Sequence, residues 1–131
     1  MRKALVVGVN YYHHIDPLYG CVRDAYAVRN VLSRNGDDSV NFDVQLRIGT
    51  DAQAPVSRGM LKDSVRELFQ GDSEIALFYF AGHGFIETTG GYLCGSDCHR
   101  GDDGLSLGEV LSLANDSPAR NKVIVLDSCH S

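Results

Sequence analysis

The sequence "EIALFYFAGHG", residues 74–84, runs from an acidic residue through an uninterrupted apolar segment into a Gly-His-Gly motif. An apolar segment without polar alternation predicts a strand that is buried on both faces, as in a parallel sheet covered by helices. The segments "KALVVGV" at 3–9 and "KVIVLD" at 122–127 have the same character. Together the three segments predict the buried centre of a sheet.

Amphipathic segments separate these strands. Apolar residues recur at helical spacing from position 21 onward, at Cys21, Ala25, Val28 and Leu32. A second helix is predicted at about 57–70, with Ser57 as its N-cap. A third helix is predicted after Ser106, because Ser106 and Glu109 have the spacing of a capping box.

A further strand is predicted at 40–48, where strict alternation indicates one wet face and a place near a sheet edge. Residues 85–104 are rich in glycine and predict an irregular loop. The element order β-α-β-α-β-loop-α-β predicts one α/β domain over 1–131, with a mainly parallel sheet between helices on both faces. In such folds the functional crevice lies at the carboxyl ends of the strands.

The composition is that of an ordinary globular protein. Of the 131 residues, 44% are hydrophobic and 22% are charged, and the net charge of −5 argues against a nucleic-acid partner. No segment approaches the ~20 apolar residues of a membrane span, and no signal-peptide cleavage site follows the first strand. We therefore expect a cytoplasmic protein. Its cysteines are expected to be thiols, ligands or nucleophiles rather than disulfides; they are Cys21, Cys94, Cys98 and Cys129.

Two of the buried strands end in reactive groups. His83 follows the strand at 74–80, and Cys129 follows the strand at 122–127. If these strands are neighbours, about 4.8 Å apart, the imidazole can deprotonate the thiol and later protonate a leaving amine. The backbone N–H groups of Gly84 and Cys129 are candidate oxyanion donors. Alone, Gly-His-Gly is usually a turn and a buried cysteine a small hydrophobe, but the combination is far more specific.

Four stretches carry a resemblance to a known family: "ALVVGVNYY" from residue 4, "LYGCVRDA" from 18, "FYFAGHG" from 78 and "VLDSCHS" from 125. In this order they resemble the large-subunit region of the caspase-like cysteine peptidases, in particular the metacaspases and bacterial orthocaspases. The resemblance implies a three-layer caspase-like sandwich, with Cys129 as nucleophile and His83 as acid and base. It also implies that this large, p20-like region ends shortly after the nucleophile, and that a small, p10-like region or chain completes the sheet and the substrate cleft.

The same resemblance implies an S1 pocket, which binds the side chain before the scissile bond, formed by Cys21, Asp24, Ala81 and Asp127. Ala81 departs from the commoner serine and removes one hydroxyl. Two carboxylates suit a basic side chain, so we expect peptide or protein substrates that are cleaved after Arg or Lys. The ordinary alternatives are a first-turn acid favoured by the helix dipole for Asp24, and a solvated strand end for Asp127.

No metal or other cofactor is expected. Cys94, Cys98 and His99 lack the usual zinc spacing, and no second ligand pair follows them. Asp102 and Asp103 form an acidic loop with Asp97, but some metacaspases bind calcium through an Asp pair whose counterpart here is Leu107-Gly108. A calcium site needs six or more oxygens, so calcium independence is the prediction.

Three alternatives stay open from the sequence. A catalytically silent caspase-like domain would serve binding or scaffolding, although such domains usually lack the His or the Cys. A caspase-like peptidase could have a different P1 preference. An unrelated doubly wound α/β domain would bind a small molecule, but the chain after the first strand lacks the Gly-rich phosphate motifs.

Overall fold

The computed structural model describes residues 1–129, and of Ser128 and Cys129 it describes the backbone. The elements in chain order are β1 Arg2–Val9, α1 Cys21–Ser33, β2 Asp43–Gly49, α2 Arg58–Phe69, β3 Ile75–Glu87, β4 Gly90–Leu93, β5 Leu105–Ser106, α3 Leu107–Asp116 and β6 Asn121–Cys129. His130 of the "DSCHS" motif and the side chain of the predicted nucleophile lie outside the described part of the chain. Within that part, no helix is both long and apolar enough to cross a membrane.

The strands form one mixed sheet. Four long strands lie in the order β2-β1-β3-β6, and each neighbouring pair is parallel. The short strands β4 and β5 pair antiparallel with the last part of β3 and with each other. The mixed α/β class predicted from the sequence is therefore confirmed, and β2 lies at an edge of the sheet, as its alternation predicted.

Alternate residues of β1 pack into two separate apolar clusters. Leu5 and Val7 pack with α2 and α3, whereas Ala4 and Val6 pack with α1. All four side chains are almost completely buried, which explains why β1 reads as a continuous apolar segment rather than an alternating one.

The two strands that carry the candidate catalytic residues are longer than predicted. β3 continues through His83 to Glu87, and β6 continues to Cys129, so both reactive residues lie within paired strands and not beyond the strand ends. The extension of β3 is possible because β4 supplies an antiparallel partner for Gly84–Glu87. The segment 85–104, predicted as irregular, therefore contains β4.

The helix caps are partly as predicted. Ser57 caps α2, since its Oγ accepts a hydrogen bond of 3.1 Å from the Met60 N–H. The capping box at α3 is wrong: among the described residues, the Ser106 side chain makes no capping hydrogen bond. Glu109 forms an ion pair with Lys62 of α2, at 2.8 Å, and this ties the two helices together.

The expectation that the cysteines are not disulfide-bonded is wrong for one pair. Cys94 and Cys98 form a disulfide, and their Cα atoms are 5.4 Å apart. The chain turns between them, with the Cys98 N–H donating to the Gly95 carbonyl at 3.1 Å, and this brings the Cα atoms within disulfide range. Disulfides are rare in the cytosol, so the cytoplasmic location stays a prediction.

Gly8 marks the closest approach of α1 to the sheet. A Cβ atom at this position would lie 2.5 Å from the Cys21 carbonyl oxygen and 2.7 Å from the Ala25 Cβ. Both neighbours belong to the first turns of a packed helix, so neither can move away without shifting α1.

We predict that Gly8→Ala lowers the free energy of unfolding by roughly 1–3 kcal/mol, because the added methyl overpacks the β1–α1 contact. Urea unfolding followed by circular dichroism measures the change. Gly36→Ala is the matched control, since a Cβ there meets no atom within 4 Å, and its effect should stay within about 0.5 kcal/mol. Equal effects of the two substitutions would contradict the packing argument.

Candidate active site

The candidate catalytic residues occupy neighbouring positions on two paired strands. The β3–β6 register joins Ala81 with Asp127 and His83 with Cys129. Adjacent strands are about 4.8 Å apart, so the backbone alone brings the predicted acid/base and the predicted nucleophile to the same level of the sheet. The condition on which the sequence argument depended, that these two strands are neighbours, is therefore met.

The His83 imidazole is buried, with 6% of the residue exposed. Its Nε2 lies 2.8 Å from the backbone oxygen of Asp16. A carbonyl oxygen only accepts hydrogen bonds, so in the neutral ring Nε2 carries the proton and Nδ1 carries the lone pair. Nδ1 is buried and has no hydrogen-bond partner among the described side chains and backbone, so its lone pair is available as a base.

The Asp16 carbonyl reaches His83 because the chain after β1 folds back over the end of the sheet. The N–H groups of Asn10 and Tyr11 both donate to the Gly49 carbonyl, at 2.9 and 3.1 Å, and this anchors the start of the segment beside β2. The Leu18 N–H donates to the Asn10 carbonyl at 2.9 Å and closes the loop. The Asp16-Pro17 pair predicted a loop. Nothing in the sequence indicates that the Asp16 carbonyl would be the hydrogen-bond partner of His83.

The backbone of Gly84 faces the β6 side of β3. At His83, the N–H donates to the Tyr12 hydroxyl and the carbonyl accepts from Cys94. Successive residues of a strand direct their backbone groups to opposite edges, so the N–H of Gly84 points to the edge where β6 pairs. The predicted oxyanion donor Gly84 therefore directs its N–H toward the side of β3 on which Cys129 lies.

A cavity of about 260 Å³ opens beside these residues. It is lined by Leu18, Tyr19, Gly20, Cys21, Asp24, Gly82 and Asp127. Three of the four residues predicted for the pocket thus line it. Ala81 is 1% exposed and lies in the apolar cluster beneath, while its neighbour Gly82 forms part of the wall.

The two carboxylates reach the cavity from different elements. Asp24 lies in the first turn of α1, whose N-terminal N–H groups at Cys21 and Val22 donate to Asn10 Oδ1 at 3.0 and 3.2 Å. Asn10 thus caps the helix from a distance, because the N-cap position is Gly20 and has no side chain. Asp127 lies on β6, opposite Ala81 in the β3–β6 register.

Tyr79 contributes a hydroxyl that the sequence analysis did not assign. Its OH donates to Asp127 Oδ2 at 3.2 Å, from a side chain that is 7% exposed. Burial first, and then the negative charge of Asp127, raise the pKa of Tyr79 to about 12, so the hydroxyl keeps its proton and stays a donor. The signal was present, because Tyr79 lies two residues before Ala81 and therefore on the same face of β3.

The acidic loop before α3 binds backbone groups. Asp103 accepts hydrogen bonds from the N–H groups of His99, Arg100 and Gly101. Asp97 Oδ1 accepts from the Arg58 N–H at the start of α2, at 3.0 Å. Among the described residues, no group of three or more His, Cys, Asp or Glu side chains is arranged to hold a metal ion.

Comparison with known proteins agrees with this geometry. The model of the caspase domain family, a family of cysteine peptidases, matches residues 1–131. A similar protein is Metacaspase-1 of Mycosarcoma maydis, which is 29% identical over 85 residues. The match covers 63% of this chain and 21% of the relative, so the chain spans a small part of that protein. The chain therefore belongs to the caspase domain family, and its similarity to a metacaspase agrees with that assignment.

We predict that neutral His83 carries its proton on Nε2, because only that tautomer can donate to the Asp16 carbonyl. Two-dimensional ¹H–¹⁵N spectra are recorded at a pH at which the imidazole is neutral. They distinguish the ring nitrogen that carries the proton from the one that carries the lone pair. Exposed His13 serves as an internal reference ring. A spectrum with the proton of His83 mainly on Nδ1 would contradict the arrangement.

Proposed function

We propose that this domain is an endopeptidase that cleaves protein substrates after Arg or Lys through a dyad of His83 and Cys129. The observation that carries the proposal is the buried Nδ1 of His83, which has no hydrogen-bond partner in the described part of the chain and lies beside the backbone position of Cys129. A base that is desolvated and held in one tautomer is what activation of a thiol requires. The complete domain, on this proposal, is the three-layer caspase-like sandwich.

The proposed reaction follows from the tautomer. His83 Nδ1 takes the proton of the Cys129 thiol, and the thiolate attacks the carbonyl carbon of the scissile bond. The C–N bond then breaks, and the proton on Nδ1 passes to the departing amine. Water, deprotonated by the same nitrogen, hydrolyses the thioester and restores the thiol. The Asp16 carbonyl stabilises the imidazolium by accepting from Nε2 throughout.

The oxyanion would be held by the N–H groups of Gly84 and Cys129. In the β3–β6 register Cys129 lies opposite His83, the residue before Gly84. The two backbone positions are therefore close to each other, and an oxyanion held by both N–H groups would lie beside the end of the β3–β6 pairing.

The P1 preference is supported by the charge of the cavity. Asp24 and Asp127 both line it, and no Lys or Arg does among the described residues. The Tyr79 hydroxyl leaves one oxygen of Asp127 for the ligand, because it bonds only Oδ2. Two acidic side chains around a space of about 260 Å³ favour a long cation, such as the guanidinium or ammonium of P1.

A small, p10-like region is the proposed partner of β6. Among the described strands, β6 pairs with β3 alone, so its other edge lacks a ladder. Val123, Val125 and Leu126 on this strand are each about 40% exposed. An edge strand with apolar side chains is a site for a further strand, and the proposed region would cover it. We propose no cofactor and no calcium requirement.

The first test is hydrolysis of fluorogenic peptides with Arg, Lys or Asp at P1 by the full-length protein, with and without calcium. We expect Arg and Lys cleavage without calcium, and loss of activity in Cys129→Ala and His83→Ala. Cleavage after Asp would refute the pocket assignment and keep the dyad. Absence of Cys129-dependent hydrolysis under every condition would favour a zymogen or the scaffold alternative.

The second test concerns the pocket. Asp127→Asn should lower kcat/KM for an Arg peptide roughly 10- to 100-fold, since one charged hydrogen bond to P1 is lost. Tyr79→Phe should produce a smaller loss in the same direction, because the carboxylate keeps its charge and loses only its orientation. Asp72→Asn, at an exposed carboxylate before β3, is the matched control and should leave kcat/KM unchanged. If Asp72→Asn lowers kcat/KM as much as Asp127→Asn does, the loss is due to the change in net charge and not to the pocket.

A further inference from the structure

Tyr12 lies against His83 on the side away from Cys129. The tyrosine is 5% exposed, and its hydroxyl takes part in two hydrogen bonds. It donates to the Val9 carbonyl at 3.2 Å and accepts from the His83 N–H at 2.8 Å. The two rings also touch edge to face, with centroids 4.7 Å apart and planes inclined by 62°.

The Tyr12 hydroxyl serves the His83 N–H as hydrogen-bond acceptor at a position where β1 no longer pairs with β3. β1 pairs with β3 as far as the Gly8–Ala81 position, and beyond Val9 the chain leaves the sheet. The ladder therefore no longer offers a carbonyl to the N–H of His83. Burying an N–H without a partner is unfavourable, and the Tyr12 hydroxyl supplies the partner at the residue before β4 begins to pair with β3.

Gly82 leaves the space that this contact needs. A Cβ at position 82 would lie 2.8 Å from the Tyr12 hydroxyl and 2.9 Å from the Phe80 ring. Burial raises the pKa of Tyr12, so the hydroxyl keeps its proton and its bond to Val9. The first glycine of the Gly-His-Gly motif and the last tyrosine of "GVNYY" thus meet at one contact.

One loop therefore holds His83 at two points. Tyr12 fixes the backbone and one side of the ring, and Asp16 of the same loop accepts from Nε2. Asn10, two residues before Tyr12, caps the helix that carries Asp24. Because Asn10, Tyr12 and Asp16 belong to one short segment, their contacts link the position of the imidazole to that of the pocket.

We propose that Tyr12 is a positioning residue for His83, whose hydroxyl and ring keep the imidazole in the orientation that leaves Nδ1 available to the thiol. The inference rests on the proposed function, since it assigns the orientation a role in the same reaction. Tyr12 is also part of the apolar core, so a purely structural role is the alternative to be separated from it.

Tyr12→Phe keeps the ring and removes the hydroxyl, and it is tested in the full-length protein at a temperature where circular dichroism shows it folded. We expect kcat for an Arg peptide to fall about 10- to 100-fold while KM stays within about twofold, since misplacing a catalytic group slows the chemistry and not the binding. The matched control is Tyr11→Phe, which removes a hydroxyl bonded to His13 at 3.0 Å and should leave both constants unchanged.

A folded Tyr12→Phe protein with kcat within twofold of the wild type would overturn the proposal. If Tyr12→Phe does not fold, Gly82→Ala displaces the same hydroxyl and keeps both rings. Gly82 also lines the cavity, so a fall in kcat with KM within about twofold supports the proposal, whereas an unchanged kcat or a change in KM alone overturns it.

The imidazole spectrum separates this proposal from the proposed function. If the wild type shows no Cys129-dependent hydrolysis, the peptidase proposal fails. The tautomer of His83 in the Tyr12→Phe variant then tests whether Tyr12 positions the imidazole. Loss of the single Nε2-protonated form supports the role of Tyr12. Retention of that form, as in the wild type, overturns it.

Discussion

The backbone N–H of His83 must find a partner where β1 has already left the sheet, and much of the site follows from how it does. The Tyr12 hydroxyl supplies the partner at 2.8 Å. This contact requires a glycine at 82 and brings the loop after β1 over the imidazole. With the loop in place, the Asp16 carbonyl reaches Nε2 and leaves Nδ1 as the basic nitrogen.

The same loop connects the proposed catalytic and specificity sites. Asn10 caps α1 and so sets the position of Asp24, while Tyr12 and Asp16 hold His83. On the opposite wall, Tyr79 orients Asp127 from β3. His83 and Asp127 are therefore held by hydrogen bonds with buried side chains or backbone, and such support limits the rearrangement needed when charge develops in a transition state.

The pairing of strands in the sheet aligns the residues of the candidate site. Parallel pairing of β3 with β6 brings His83 level with Cys129 and Ala81 level with Asp127. A shift of one residue in this register would exchange the faces of all side chains on β6. The apolar residues that β6 shares with the buried core, such as Ile124, thus help to keep the reactive residues in register although they take no part in the chemistry.

The sequence by itself determined the α/β class, the long apolar strands, the three helices and the residues that we propose for the chemistry, because apolar periodicity and short motifs are local properties of the chain. It missed β4, the Cys94–Cys98 disulfide and the loss of the capping box at Ser106, since each depends on a partner elsewhere. Only the tertiary structure decided which nitrogen of His83 faces the Asp16 carbonyl and which partners the hydroxyls of Tyr12 and Tyr79 bond. A backbone carbonyl or a buried hydroxyl acquires its function from the atom it meets, and that atom lies on another segment of the chain.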